Sequence, residues 1–390
     1  MAIHGIHGNI SQYFQTFSKS KVGDREMKVI MTGGGTGGHI YPAIAIADKI
    51  KERYEDAEIL FVGTEKGMEK TLVPKHGYPI EYITVAGFNR KNMIKNIEVL
   101  RKLRKGNRQA KEIMKSFKPD VVIGTGGYVC GPVVRAAHKA GIRTYTQEQN
   151  AFPGMTNKIL EKYVEKVFLG FSDAQKYFKH REKHIISGNP VRKDFFQADK
   201  VSSREELGFA QDDFVLLVFG GSQGAGRINK AMLTVIETLN GMDKVQVCMA
   251  TGKFYYDAIL TEFKERKVEL ADNIHIIEYI SNMDKYLSGA DLVISRSGAL
   301  TVAEVTVCGK AAIFIPSPMV TGNHQFYNAK AVADKGGAII IEEKELQNDD
   351  LVSQIMKLKN SPDTIKEMSK CSKECAPMDA VEVICNNIEI

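Results

Sequence analysis

The chain has 390 residues, 43% hydrophobic and 26% charged, a balance that excludes a disordered or fibrous protein and predicts two domains of roughly 150–200 residues. No stretch approaches the ~20 apolar residues of a membrane span, and none has the basic, apolar, small-residue order of a secretory signal. The net charge of +6 is unevenly spread: residues 90–118 hold eleven Lys or Arg against Glu98 and Glu112, an excess of +9, and the remainder is slightly acidic.

Residues 1–26 lack a clear apolar period and read as an extension or leader outside the fold. From Met27 onward, short β-branched runs alternate with amphipathic stretches. Strands are expected at 28–31, 59–62, 80–84, 121–123 and 144–147, with helices at 42–53, 92–105, 109–117 and 131–140. A second series of strands follows at 214–219, 245–250, 274–278, 292–294, 312–315 and 338–341. Such alternation predicts an α/β protein of two Rossmann-like, doubly wound parallel-sheet domains. Gly188, Asn189 and Pro190 break both periodicities within 187–203, which puts the seam there. The expected division is 27–188, 189–363 and a helical tail at 364–390 that folds back across the seam. The six cysteines, Cys130, Cys248, Cys308, Cys371, Cys375 and Cys385, have no paired spacing for zinc and read as reduced thiols of a cytoplasmic protein.

Four glycine-rich or helix-opening turns follow strands, at 33–38, 124–127, 220–226 and 297–299. A phosphate sits well at such a turn, because free N–H groups and the helix dipole both favour negative charge and glycine permits close approach. One such turn is a weak signal; several, heading both domains, point to two or more diphosphate ligands. A nicotinamide cofactor is the rival reading, since Gly33, Gly35 and Gly38 nearly satisfy the dinucleotide fingerprint and Glu65 follows the second strand. His39 directly after the turn, and a second glycine turn opening the other domain, weigh against it. No turn closes as Gly-Lys-Ser or Gly-Lys-Thr, which excludes a P-loop.

Six motifs occur in a fixed order: Gly34-Gly-Thr-Gly-Gly-His-Ile-Tyr-Pro42, Gly126-Gly-Tyr-Val-Cys-Gly-Pro132, Glu148-Gln-Asn150, Gly188-Asn-Pro-Val-Arg192, Gly220-Gly-Ser-Gln-Gly-Ala225 and Arg296-Ser-Gly-Ala-Leu-Thr-Val-Ala-Glu304. From about Met27 to the C-terminus the chain thereby resembles the MurG family, the peptidoglycan N-acetylglucosaminyltransferases. The resemblance implies a GT-B fold, with two domains facing across a cleft. It also implies inverting transfer of N-acetylglucosamine from UDP-GlcNAc to the C4 hydroxyl of undecaprenyl-diphosphate-MurNAc-pentapeptide, at the cytoplasmic face of the membrane.

Carried over by position, the resemblance gives the donor to the C-terminal domain. Ser222 and Arg192 would lie at the UDP diphosphate, the backbone of Ile280 at uracil, and the helix start at Ala299, Leu300 and Thr301 at the diphosphate again. Glu304 would accept two hydrogen bonds from the ribose diol. Asn150 and Gln325 would bind the transferred sugar with Asn328 one turn on, and Thr36, Gly37 and Gly38 would close on the donor. The acceptor diphosphate would meet Gly35, Gly126, Gly127 and Tyr128. His39 is the candidate base for the C4 hydroxyl, with Glu148 as the other candidate and phosphate positioning as the alternative role for His39. The family commonly reads His-Glu-Gln-Asn where this chain has Gln147, so an imidazole there is lost. No Asp-x-Asp arrangement is placed for a metal diphosphate, so neither metal nor cofactor is expected; helix starts and Arg192 can stabilise departing UDP.

Within 92–105, Met93, Ile97, Leu100 and Leu103 recur at helical spacing, flanked by Lys95, Arg101, Lys102, Arg104 and Lys105. An apolar stripe with a cationic rim fits an anionic membrane surface, with Met93, Ile97, Leu100, Arg101 and Arg104 as contacts. A core-facing helix with a solvated back is the alternative. Nucleic acid is not expected, because aromatics for base stacking are nearly absent there. Two other functions compete: a related transferase with another lipid acceptor such as diacylglycerol, and an NAD-dependent oxidoreductase.

Overall fold

A computed structural model describes residues 26–86, 95–221, 223–377 and 379–389. The β-branched runs become two parallel sheets. The first holds β1 (Lys28–Gly33), β2 (Glu58–Gly63), β3 (Ile80–Tyr82), β4 (Val121–Gly126), β5 (Arg143–Glu148), β6 (Lys166–Leu169) and β7 (His184–Ile186), in the order β3-β2-β1-β4-β5-β6-β7. The second holds β8 (Phe214–Phe219), β9 (Val245–Ala250), β10 (Ile274–Ile277), β11 (Leu292–Ser295), β12 (Ala311–Phe314) and β13 (Ala338–Ile340), in the order β10-β9-β8-β11-β12-β13. Val29 pairs with Ile59 on one side and Val121 on the other, and Ile294 sits between Val218 and Ile313. These central strands are covered on both faces, which is why they read as unbroken apolar runs rather than alternating ones.

In each sheet the strand order reverses beside the first strand, between β1 and β4 and between β8 and β11. Open parallel sheets leave a crevice beyond the carboxyl ends of their strands at such a reversal. All four of the turns singled out in the sequence leave these strands.

Two expectations are corrected. The segments 92–105 and 109–117 form a single helix, Lys95–Phe117. Gly106 does not break it: a Cβ there would stand 2.5 Å from the Thr84 carbonyl oxygen, so the glycine lets the helix lie close on the strand end. The strands β6 and β7 and the helix Glu69–Lys75 were not expected; they have four, three and seven residues, too few to establish a period.

The tail divides. Helix Pro362–Glu374 packs beside helix Ala299–Val307 and β12 of the second layer. Helix Ala380–Asn386 instead lies on helix Gly37–Arg53 of the first layer. There Glu382 bridges Lys49, at 2.5 Å, and Arg53, and the amide of Glu389 donates to the Tyr145 hydroxyl at 3.0 Å. All six cysteines are free thiols. Among the described residues no helix is long and apolar enough to cross a membrane.

Candidate active site

The first two glycine turns interlock where β1 and β4 end. Gly34 N–H donates to the Gly126 carbonyl at 3.3 Å, and the Thr125 hydroxyl donates to the His39 carbonyl at 2.7 Å. His39 occupies the first turn of helix Gly37–Arg53. Its ring lies over Gly126, where φ is +110° and a Cβ would stand 2.7 Å from Nδ1, so only glycine admits the imidazole. Thr36 precedes the helix in extended conformation without a side-chain cap, and its carbonyl accepts from the amides of His39 and Ile40 at 3.1 and 3.3 Å, so the amides of Gly37 and Gly38 are the ones without intrahelical partners. Tyr128 stands 64% exposed beside them.

Gly35 differs from the expectation, because its N–H is taken: it donates to Glu69 Oε2 at 2.9 Å. Glu69 is fully buried and also accepts from the amide and hydroxyl of Thr64, at 2.9 and 2.7 Å. The acidic residue near the second strand that matters structurally is therefore Glu69, not Glu65. It grips the turn from below and occupies an amide that a pyrophosphate would otherwise use. Nothing in the sequence signalled it, since its seven-residue helix is too short to establish a period.

Glu148 is also turned into the protein. It is 1% exposed, and its oxygens accept from Asn150 N and Nδ2 at 2.9 and 3.1 Å, and from Gly154 N and Asn157 Nδ2 at 2.9 Å each. A carboxylate engaged four times by fixed donors holds a loop, and this engagement weighs against Glu148 as the alternative base. The loop it holds presents Asn150, whose Oδ1 accepts from Asn328 Nδ2 of the opposite layer at 3.2 Å. Phe152, in the same loop, stacks on Tyr327 at 5.4 Å between centroids.

Across the cleft, the turn after β8 lines a cavity of about 550 Å³ together with Arg227, Tyr255, Ser317 and Gln325. Gln325 accepts from the Ser317 amide at 2.8 Å through Oε1, and its carbonyl accepts from the Ser297 hydroxyl at 2.8 Å. Arg227 and Tyr255 were not singled out in the sequence, where nothing marks an isolated Arg or Tyr after a glycine turn. Ser222 lies outside the described residues. Ala299, Leu300 and Thr301 form the first turn of helix Ala299–Val307, after Gly298. The Ile280 side chain is buried in the core, so only its backbone can meet a ligand.

Glu304 sits one turn further along that helix, partly exposed. Burial pushes its carboxyl up to about 7, and the Arg192 guanidinium opposes the shift. Arg192 projects from the linker, over the Phe195 ring at 5.0 Å. Tyr41 of the first layer feels the same group: burial first, then Tyr279, raise its phenol, Arg192 lowers it and Glu304 raises it. Tyr41 thus faces Arg192, Tyr279 and Glu304 on the other side, while His39, two residues earlier on the same helix, turns to Gly126 and Gln149. Among the described residues no cluster of three or more His, Cys, Asp or Glu is arranged to hold a metal ion.

The glycosyltransferase family 28 N-terminal domain profile matches residues 29–169, and the C-terminal domain profile of the same family matches residues 215–384. The UDP-N-acetylglucosamine--N-acetylmuramyl-(pentapeptide) pyrophosphoryl-undecaprenol N-acetylglucosamine transferase of Alkaliphilus oremlandii is 44% identical over 365 residues, 93% of this chain and 98% of its own. The like-named protein of Desulforamulus reducens is 43% identical, again over 93% and 98%. The chain belongs to the MurG family.

The crystal structure of MurG from Acinetobacter baumannii superposes with a TM-score of 0.74 at 28% identity, over 92% of this chain and 98% of that one. The architecture is the GT-B fold. A UDP-GlcNAc 2-epimerase of Neisseria meningitidis shares that fold at 13% identity, with a TM-score of 0.66 over 92% of this chain and 99% of its own. These relatives lend no support to an NAD-dependent oxidoreductase or a diacylglycerol transferase. As a MurG-family enzyme the protein is a glycosyltransferase.

The departure of this MurG-family chain at Gln147 also acquires a structural account. The residue is completely buried and its Nε2 donates to Asn189 Oδ1 of the linker at 3.1 Å. An imidazole likewise offers one donor and one acceptor, so Gln147 can satisfy the same surroundings without titrating.

In helix Lys95–Phe117, Val99, Gly106, Ala110, Ile113 and Met114 face the core, whereas Leu100 is 49% exposed and Arg101 and Arg104 are exposed. Met93 and the Ile97 side chain lie outside the described residues. The inward stripe thus leaves out Leu100, which stands outside beside the exposed Arg101 and Arg104.

Proposed function

We propose that this protein transfers N-acetylglucosamine from UDP-GlcNAc to the C4 hydroxyl of undecaprenyl-diphosphate-linked N-acetylmuramyl-pentapeptide, with inversion, as a step of peptidoglycan synthesis. The observation that carries this reading is the near full-length identity of 44% to a transferase bearing that name. Within it, UDP-GlcNAc lies against the C-terminal layer: Arg192, Ser222 and the amides of Ala299, Leu300 and Thr301 on the diphosphate, the Ile280 backbone on uracil and Glu304 on the ribose diol. Asn150 and Gln325 hold the sugar, with Thr36, Gly37 and Gly38 closing from the other side. The acceptor diphosphate lies near Gly126, Gly127 and Tyr128, with Gly35 shaping the turn rather than donating to the ligand.

Inversion needs one displacement. The acceptor C4 oxygen attacks the anomeric carbon from the face opposite UDP, its proton passes to His39 Nε2, and the bond to the UDP oxygen breaks with its electron pair leaving on the diphosphate. Helix-start amides and Arg192 stabilise the charge that appears there. Glu148 supports the loop carrying Asn150 and moves no proton.

The membrane half of the reading rests on helix Lys95–Phe117, whose exposed Leu100, Arg101 and Arg104 form a cationic, partly apolar face. On it the protein binds peripherally at the cytoplasmic face of an anionic membrane and does not engage nucleic acid. The test is incubation with labelled UDP-GlcNAc and a short-chain polyprenyl-diphosphate-muramyl-peptide. A labelled disaccharide lipid is expected; turnover with diacylglycerol instead would overturn the assignment.

A further inference from the structure

We infer that Gln149 is a positioning residue that holds the His39 imidazole in its Nδ1–H tautomer, leaving Nε2 as the basic nitrogen. The catalytic consequence rests on the reading of His39 as the proton acceptor; the tautomer itself follows from the surroundings of Gln149.

Gln149 is 1% exposed and meets His39 Nδ1 through Oε1 at 2.8 Å. Which end of the amide faces the ring decides the proton. The other end lies 2.7 Å from the Thr125 carbonyl oxygen and 3.2 Å from the Gln147 carbonyl oxygen, and it also meets Gln147 Oε1. All three are acceptors, so that end must be the NH2 group. Reversing the amide would set its oxygen against backbone oxygens and leave both without a donor. Oε1 is therefore toward His39, and an amide oxygen can only accept. Nδ1 must carry the hydrogen, and in the neutral ring Nε2 then carries the lone pair.

The orientation is fixed twice over. Gln147 Oε1 accepts from Gln149, so Gln147 Nε2 is free to donate to Asn189 Oδ1 at 3.1 Å. Asn189 Nδ2 in turn donates to the Gln149 carbonyl at 2.9 Å. Three buried amides thus form a closed circuit from the linker to the site, each dictating the next. Gly126 beneath the ring pins the imidazole plane, because the space of its absent Cβ is filled by Nδ1 and Cε1.

The test is 15N-detected NMR of the full chain, above the pH at which the ring titrates. The His39 signal is identified among nine histidines by its loss in His39→Gln. The wild-type ring is expected as pure Nδ1–H. Gln149→Met is expected to give a mixture with the Nε2–H form, lowering kcat roughly tenfold to a hundredfold with donor Kd changed less than about twofold. A wild-type ring protonated on Nε2 overturns the inference by itself, even if Gln149→Met does not fold. An unchanged tautomer in Gln149→Met overturns it as well, whereas an altered tautomer with unchanged kcat would end the proton-acceptor reading of His39 and not the tautomer assignment. Full turnover in His39→Gln would instead end the proton-acceptor reading and leave the tautomer assignment to its own spectrum.

Discussion

Asn328 and Asn150 meet across the two layers: Asn328 Nδ2 donates to Asn150 Oδ1 at 3.2 Å while its own Oδ1 accepts from the Ala151 amide at 2.8 Å. Asn328 is fully buried and also donates to the Ser297 carbonyl at 3.2 Å. One side chain therefore couples the loop held by Glu148 to the turn that opens helix Ala299–Val307. Replacing it with Ala strands an N–H and a side-chain amide in the interior, at a cost of about 1–3 kcal/mol for each unsatisfied group. Asn328→Ala is expected to lower the unfolding midpoint in urea and to reduce kcat more than donor affinity. Asn328→Asp keeps the acceptor for Ala151 but sets a buried carboxylate oxygen against the Asn150 and Ser297 oxygens, so it should not restore the stability.

The Glu304 carboxyl predicts a pH dependence of donor binding. Only the ionised group accepts both ribose hydroxyls, and in the free enzyme it is ionised above about 7. Donor Kd should therefore rise as pH falls below about 7 and level off above it, with proton release on binding detectable by calorimetry in two buffers. The effect on the free fold has the opposite sense. An unfolded carboxyl titrates near ~4.3, so the native state holds the extra proton between ~4.3 and 7, and this group's contribution to stability declines as pH rises through that window. Glu304→Gln should weaken donor binding by roughly tenfold or more, since hydrogen bonds to a charged group contribute about 1.5–3 kcal/mol, and remove the pH dependence.

His39→Ala is expected to lower turnover by about two orders of magnitude or more, within the range for a missing general base, with little change in donor affinity. Steady-state kinetics beside UDP-GlcNAc titration separates the two quantities, and wild-type turnover would end the role assigned to His39.

Transfer should survive excess EDTA unchanged, because amides at helix starts and Arg192 are available to take the charge of the departing diphosphate. A rate lost on chelation and restored by magnesium would contradict this.

For the membrane face, Arg101→Gln with Arg104→Gln should weaken binding to anionic vesicles by roughly thirtyfold, at about 1 kcal/mol per cation. Turnover of a short-chain, water-soluble acceptor should be unaffected. Vesicle co-sedimentation checks it, and equal binding to neutral lipid would count against electrostatic docking.

The sheets were legible because strands buried on both faces print as continuous apolar runs, as at β1 and β8. The cleft residues were legible through glycine turns, whose backbone demands leave few substitutes, and through the resemblance they carry. Glu69 and Gln149 act through partners 34 and 110 residues away in sequence, and Asn328, named only through the resemblance, through one 178 away. No local period can announce such pairings, and each residue alone looks like an ordinary helix or loop position. The loop-holding role of Glu148 was hidden for the same reason: its four donors lie in a fold that the sequence does not print.

The tail that crosses back to helix Gly37–Arg53 gives the two layers a second strap beside the linker. The two crossings touch, since a Cβ on Gly188 would collide with Pro377, so they form one two-stranded hinge rather than two distant ties. Opening for substrate entry should thus be a swing about that doubled strip. A cut or fusion between Glu374 and Ala380 would free the remaining rotations without touching any residue that meets a substrate.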